Sequence, residues 1–142
     1  MRKFKSVIFP RPKKIGKRNW GEEILLAILT KKFSFKYLKL KKNCAGGLQY
    51  HRKKNEFGYL ISGILQISFL NKKGKLIKKK IKKGSVFHIP PGTIHKEKAI
   101  TNCEIIEVST PHFNDRVRVE DKFGIKDKSG LKTTKISEIK HI

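Results

Sequence analysis

The spacing of the turn signals constrains this chain more than any other feature. Asn43, Gly58, Gly63, the NKKG stretch at 71–74, the KKGS stretch at 82–85 and the PPG stretch at 90–92 recur roughly every ten residues. Between them lie short runs rich in aromatic, β-branched and leucine side chains, such as EEILLAILT (22–30), FSFKYLKL (33–40), YLISGILQISFL (59–70) and CEIIEVST (103–110). Runs this short, bounded this regularly, predict strands rather than helices, and hence an all-β sandwich or barrel. An antiparallel barrel or jelly roll pairs the strand edges and leaves a cavity at its mouth.

The remaining composition narrows the class. The chain has 142 residues, enough for one core. Hydrophobic residues make up 37% and charged residues 32%, which fits a packed domain rather than a disordered chain. No apolar run approaches the roughly 20 residues that span a bilayer. The opening MRKFKSVIFPRPKK has neither a long apolar segment nor a small-residue cleavage site, so a cytoplasmic protein without a membrane partner is expected. Cys44 and Cys103 form no metal-spaced pair and read as buried thiols.

The formal net charge is +24, and only six of the basic residues are arginine. Lysines spread along the whole chain read as a solvated surface that also discourages strand-edge pairing. Nucleic acid recognition favours arginine forks and interleaved aromatics, so it ranks last among the expected partners. A positive surface instead steers small phosphorylated or carboxylated ligands toward a pocket.

The chemistry concentrates between residues 46 and 95. If the strand after Gly47 alternates regularly, Gln49, His51 and Lys53 share one face. Glu56 then arrives from the following turn or strand, and His95 from PPGTIH. The order Gly46-Gly47-Leu48-Gln49-Tyr50-His51-Arg52-Lys53-Lys54-Asn55-Glu56, closing on Gly63, and the set Gly84, Pro90, Gly92 and His95 resemble the two motifs of the cupin superfamily. The flanking Trp20, Gly21 and Glu23, with Glu107-Val108, Asp115, Val117-Arg118, Glu120-Asp121 and Gly124, resemble more specifically the type II mannose-6-phosphate isomerase cupin. That domain also occurs fused to mannose-1-phosphate guanylyltransferases.

The resemblance implies a single cupin domain over residues 1–124 with an N-terminal strand extension, a polar tail over 125–142, and a homodimer. It implies a divalent metal (zinc, iron or manganese) on His51, Glu56 and His95, with the remaining ligand position falling on Lys53. An ammonium has no lone pair to offer. Two readings therefore stay open: a metal site with one ligand missing, or a site in which Lys53 beside Glu56 replaces the cation and no metal is needed. Catalysis is expected of Lys53, Glu56 and Arg118, the last through the resemblance, and binding of an anionic sugar of Gln49, Lys53, Tyr59 and Arg118. Tyr50, Phe57 and Tyr59 read as barrel core or cavity wall, and His88 as a packed or hydrogen-bonded histidine. The expected function is a carbohydrate-active cupin, either a sugar-phosphate isomerase or a nucleotide-sugar isomerase. The alternatives are a metal-free sugar or nucleotide-sugar binder and an iron-dependent oxygenase or lyase.

Overall fold

A computed structural model describes residues 9, 11–15, 18–113, 115–119 and 125–127, the last three as backbone. Twelve strands follow in order: β1 (Lys13–Lys14), β2 (Gly21–Leu29), β3 (Phe33–Leu40), β4 (Gln49–His51), β5 (Glu56–Ser62), β6 (Ile64–Leu70), β7 (Leu76–Lys82), β8 (Val86–Ile89), β9 (His95–Ala99), β10 (Cys103–Ser109), β11 (Arg116–Val119) and β12 (Ile125–Asp127). They form two six-stranded sheets, ordered β1-β2-β3-β10-β5-β8 and β12-β11-β4-β9-β6-β7, and every strand pairing is antiparallel. The all-β expectation holds, and no helix among the described residues is long and apolar enough to cross a membrane.

Alternation decides which side chains enter the barrel. On β3, Ser34, Lys36, Leu38 and Leu40 are buried while Phe33 and Lys39 point out. From Lys54 through β5 the pattern is strict: 54, 56, 58 and 60 are buried, and 55, 57 and 59 are exposed. A register shift on β2 between Leu25 and Ala27 moves the inward set by one residue, so Glu23, Leu25 and Ile28 all face inward. Gly58 is needed where it stands, because an added Cβ would occupy the place of the Phe87 ring. Gly63 takes a φ of +91° in the tight connection from β5 to β6, a conformation that favours glycine.

The main core comprises Leu38, Leu40, Leu60, Leu65, Ile67, Ile89, Ala99, Cys103 and Ile105. A smaller cluster of Ile15, Leu25 and Ile28 packs with Phe113. The core supplies the hydrophobic stabilisation and fixes the strand ends that carry the polar residues. Cys44 and Cys103 are both free thiols, with Cys103 buried. Two expectations change. Phe57 and Tyr59 belong to the outer face of the first sheet, at 52% and 45% exposure, because the inward positions of β5 are Glu56, Gly58 and Leu60. The second sheet also continues past residue 124, where β12 pairs with β11; the rest of the expected tail, 128–142, lies outside the described residues.

Candidate metal and ligand site

Between the two sheets lies a cavity of about 120 Å³, room for several waters or for an ion with a small ligand. His51 ends β4, Glu56 begins β5 and His95 begins β9, so three strand termini converge on it. One ligand atom from each of these residues lies within 4.8 Å of the others. Both histidines are held by their far nitrogens. His95 Nδ1 donates to the Thr93 carbonyl at 2.9 Å, and His51 Nδ1 sits 3.1 Å from Asp115 Oδ1. In each ring this leaves Nε2 as the free nitrogen, the outer-shell arrangement that orients metal-binding imidazoles. Burial, aided by the nearby Lys54, lowers the pKa of His95 to about 4, so its ring is neutral at pH 7 with a lone pair to offer.

Asp115 also organises the turn between β4 and β5. Its Oδ2 accepts the backbone N–H groups of Lys53 at 2.8 Å and Lys54 at 2.6 Å. Burial would raise its pKa, but the bonds from His51 and these two amides outweigh burial and hold the carboxyl well below the usual range. This turn breaks the alternation expected from β4. Residues 52 and 53 bend away after His51, so Lys53 is exposed and Lys54 is the lysine that enters the cavity. Lys54 Nζ lies 2.7 Å from Glu56 Oε2 and 2.8 Å from Glu107 Oε1. Burial alone would lower its pKa, but Glu107 and Glu56 reverse that and drive it well above the ordinary value, so the lysine stays charged. Glu56 in turn is held below its ordinary pKa by Lys54 and His51 despite the opposing effect of burial.

A third carboxyl, Glu97, lines the same cavity from β9. Burial and then the negative charges of Glu56 and Glu107 push its pKa up to about 8, so it is mainly protonated at pH 7. Lys54 is thus shared between Glu56 and Glu107, and Glu56 Oε1 lies 3.8 Å from His95 Nε2. With three donor atoms converging among the described residues, and the His95 ring neutral, the set fits a divalent cation.

Elsewhere in the lining, Glu23 accepts hydrogen bonds from Lys36 Nζ at 2.8 Å and Arg18 Nε at 2.8 Å, and Lys36 Nζ stands 4.5 Å from the Phe113 ring centroid. Burial would raise the Glu23 pKa, but Lys36 and Arg18 bring it below the ordinary value. Gln49, Arg116 and His112 also line the cavity. The sequence-derived set thus divides. His51, Glu56, His95 and Gln49 meet in one cavity. Lys53 and Arg118 are exposed and outside its lining, and Tyr59 lies on the outer sheet face. Arg116, paired with His51 across β11 and β4, lines the cavity where Arg118 was expected. His88 is on the outside, 2.7 Å from Asn55 Oδ1 and stacked on Phe57. Sequence reading overlooked Lys54, Glu97 and Glu107 as site residues. Counting back by twos from Glu56, forward by two from His95, and along the odd positions of β10 would have found them.

A double-sheet barrel with histidines and a glutamate from its strand ends facing an internal cavity defines a class, and the chain belongs to the cupin family, which it matches over residues 18–129. Among solved structures it is similar to the capsular polysaccharide assembling protein CapF from Staphylococcus aureus (TM-score 0.68, 20% identity, 80% of this chain and 33% of that one). It is similar also to oxalate decarboxylase from Bacillus subtilis (TM-score 0.65, 16% identity, 80% and 33%) and to KdgF from Halomonas sp. (TM-score 0.60, 17% identity, 70% and 86%). A probable germin-like protein, subfamily 2 member 5, of Arabidopsis thaliana is 40% identical over 52 residues, 37% of this chain and 24% of that protein. The chain spans about a third of CapF and of oxalate decarboxylase and about a quarter of the germin-like protein. The structural likenesses establish the fold.

Proposed function

We propose that this chain is a metal-dependent cupin acting on an anionic sugar, with a divalent ion held by His51, Glu56 and His95. The observation that carries the reading is the convergence of three donor atoms within 4.8 Å of one another, beside a lysine shared between Glu56 and Glu107 rather than committed to Glu56 alone. Two nitrogens and one oxygen suit zinc, manganese or iron and leave coordination positions open to a ligand. When bound, the ion would supply Lewis-acid polarisation of a substrate oxygen. The rest is the work of the chain. Arg116, with Arg18 and Lys36 around Glu23, adds positive charge to the cavity lining, which favours a phosphate or carboxylate ligand. Glu97, with its pKa near the working pH, is suited to take a proton from one carbon and return it to the next, the step that aldose–ketose isomerisation requires. Oxalate decarboxylase from B. subtilis contains manganese(II) centres and CapF assembles capsular polysaccharide, which supports both halves of the reading.

The test is proton NMR of sugar phosphates incubated in heavy water with the metal-loaded chain. Loss of the C–H signal next to the carbonyl is expected with the wild type and absent with Glu97→Gln. No exchange with any aldose or ketose phosphate would refute the isomerase reading. A second reading, a metal-free sugar binder anchored on Lys54, is favoured by the closeness of the ammonium to Glu56 Oε2. It predicts sugar-phosphate binding that is unchanged by chelator.

A further inference from the structure

The outer face of the second sheet carries a regular charge pattern. On β6, Leu65 and Ile67 point into the core, which turns Gln66 and Ser68 outward. Ser68 opposes Lys78 of β7 on one side and Lys96 of β9 on the other. Gln66 opposes Lys80 and Lys98 in the same way, and Lys82 follows opposite Ile64. Two successive rows thus read lysine, neutral polar residue, lysine. With strands about 4.8 Å apart and same-face side chains about 7 Å apart, five ammonium groups share one patch. Lys78, Lys80, Lys82 and Lys96 are exposed and Lys98 is half-buried. No outward position of β6, β7 or β9 holds a carboxylate, and none of the five lysines is ion-paired among the described residues.

Edge protection accounts for only part of this pattern. β7 is the last strand of its sheet, where lysines discourage pairing with a further strand. β9 is an interior strand between β4 and β6 and has no edge to protect. Five like charges on one face also repel one another, and a bound polyanion relieves that repulsion. Two features choose among polyanions. The outward positions of the three strands include neither arginine nor an aromatic residue, the groups that fork onto phosphates and stack on bases. They suit carboxylates spaced along a flexible chain better than nucleic acid. Lys96, moreover, belongs to the patch and also lines the cavity, directly after His95 on β9. The patch therefore continues outward from the site at which an anionic sugar is proposed to bind.

We infer that the outer face of β6, β7 and β9 binds an acidic polysaccharide, a chain of uronate units whose carboxylates meet Lys78, Lys80, Lys82, Lys96 and Lys98 while Gln66 hydrogen-bonds to ring hydroxyls. The inference rests on the reading of the cavity as an anionic-sugar site, and makes the sugar in the cavity one unit of a longer acidic chain. The cavity takes the terminal unit, Lys96 stands at the junction, and the following units lie along the lysine rows. Each exposed ion pair is weak by itself and screened by salt. Linked along one ligand they reinforce one another, so affinity grows with ligand length and falls with ionic strength.

The test is isothermal titration of the full chain with galacturonate and with an oligogalacturonate of about six units, at about 0.05 M and about 0.5 M salt. At low salt the oligomer is expected to bind at least about 10-fold more tightly than the monomer, and at high salt the difference should vanish. Lys78→Gln combined with Lys80→Gln and Lys98→Gln should remove the dependence on length. The same change at three exposed lysines of the first sheet and its β2–β3 turn, Lys31→Gln, Lys32→Gln and Lys39→Gln, should keep it. Far-UV circular dichroism shows that both variants fold. An oligomer that binds no more tightly than the monomer, or a length dependence that survives in the folded Lys78, Lys80 and Lys98 variant, would overturn the inference. So would tighter binding of a duplex DNA of equal charge that the same three substitutions abolish, because the face would then belong to nucleic acid. Lysine-dependent binding of the oligomer, with no binding of the monomer and no effect of His51→Ala, would uphold the face and refute instead the anionic-sugar reading of the cavity.

Discussion

Replacing Lys54 by methionine removes the ammonium that lies between Glu56 and Glu107 and leaves the two carboxylates facing each other without it. The contacts at 2.7 and 2.8 Å correspond to attractions of about 6 kcal/mol each at an effective dielectric of about 20. Desolvation of the three ions offsets most of that gain. Removing one partner of such a buried set nevertheless costs about 3–5 kcal/mol, because the others stay buried and charged. In a domain of this size that is a fall in Tm of about 10–20 °C. The assay is differential scanning calorimetry at pH 7 with chelator, then with added zinc or manganese. Two signatures separate electrostatics from simple loss of packing. The deficit should shrink as the pH falls toward 5, because the freed carboxylates take up protons. Divalent metal should also restore more stability to the variant than it adds to the wild type, since the ion then meets two unpaired carboxylates. A variant as stable as the wild type in chelator, or one that metal fails to rescue, would refute this account of the cavity.

Two further outcomes follow from the same charges. Glu97 has a raised pKa, so its contribution to stability is complete below about pH 4.5 and is lost as the pH rises toward about 8; Glu97→Gln should therefore gain about 3 kcal/mol at pH 7 and flatten the alkaline arm of a stability–pH curve measured by urea unfolding. His95 works in the opposite direction, because its depressed pKa makes its contribution complete above about pH 6.5 and lost as the pH falls toward about 4. The acid arm should accordingly survive in Glu97→Gln. Asp115→Asn removes the anion that orients His51 and ties down the 53–54 amides, and should weaken metal affinity about 10–100-fold with retained stoichiometry in a calorimetric titration.

Much of this arrangement was legible in the sequence. Turn spacing and short apolar runs point to an all-β barrel, and the resemblance to the two cupin motifs implies that His51, Glu56 and His95 come together. Lys53 was the instructive miss. Strict alternation from Gln49 assumes that β4 runs on, whereas it ends at His51 and Asp115, more than sixty residues later, captures the two following amides. That contact is tertiary, so no reading of strand period within 49–56 shows it. Counting from β5 instead gives Lys54, since the inward parity of Glu56, Gly58 and Leu60 extends backward to it. Arg118 was displaced for a similar reason: which of two arginines on β11 lines the cavity depends on the pairing of Arg116 with His51. Tyr59 was read as barrel core or cavity wall, but the inward positions of β5 are Glu56, Gly58 and Leu60, which leaves Tyr59 on the outer face.

The central claim is that His51, Glu56 and His95 converge to hold a divalent ion beside Lys54. Isothermal titration of the chelator-stripped full chain with manganese(II) and with zinc, beside the His51→Ala variant, tests it most directly. The account predicts one ion per chain in the wild type and no measurable binding in the variant. No binding of either ion by the wild type, or equal binding by both proteins, would contradict it.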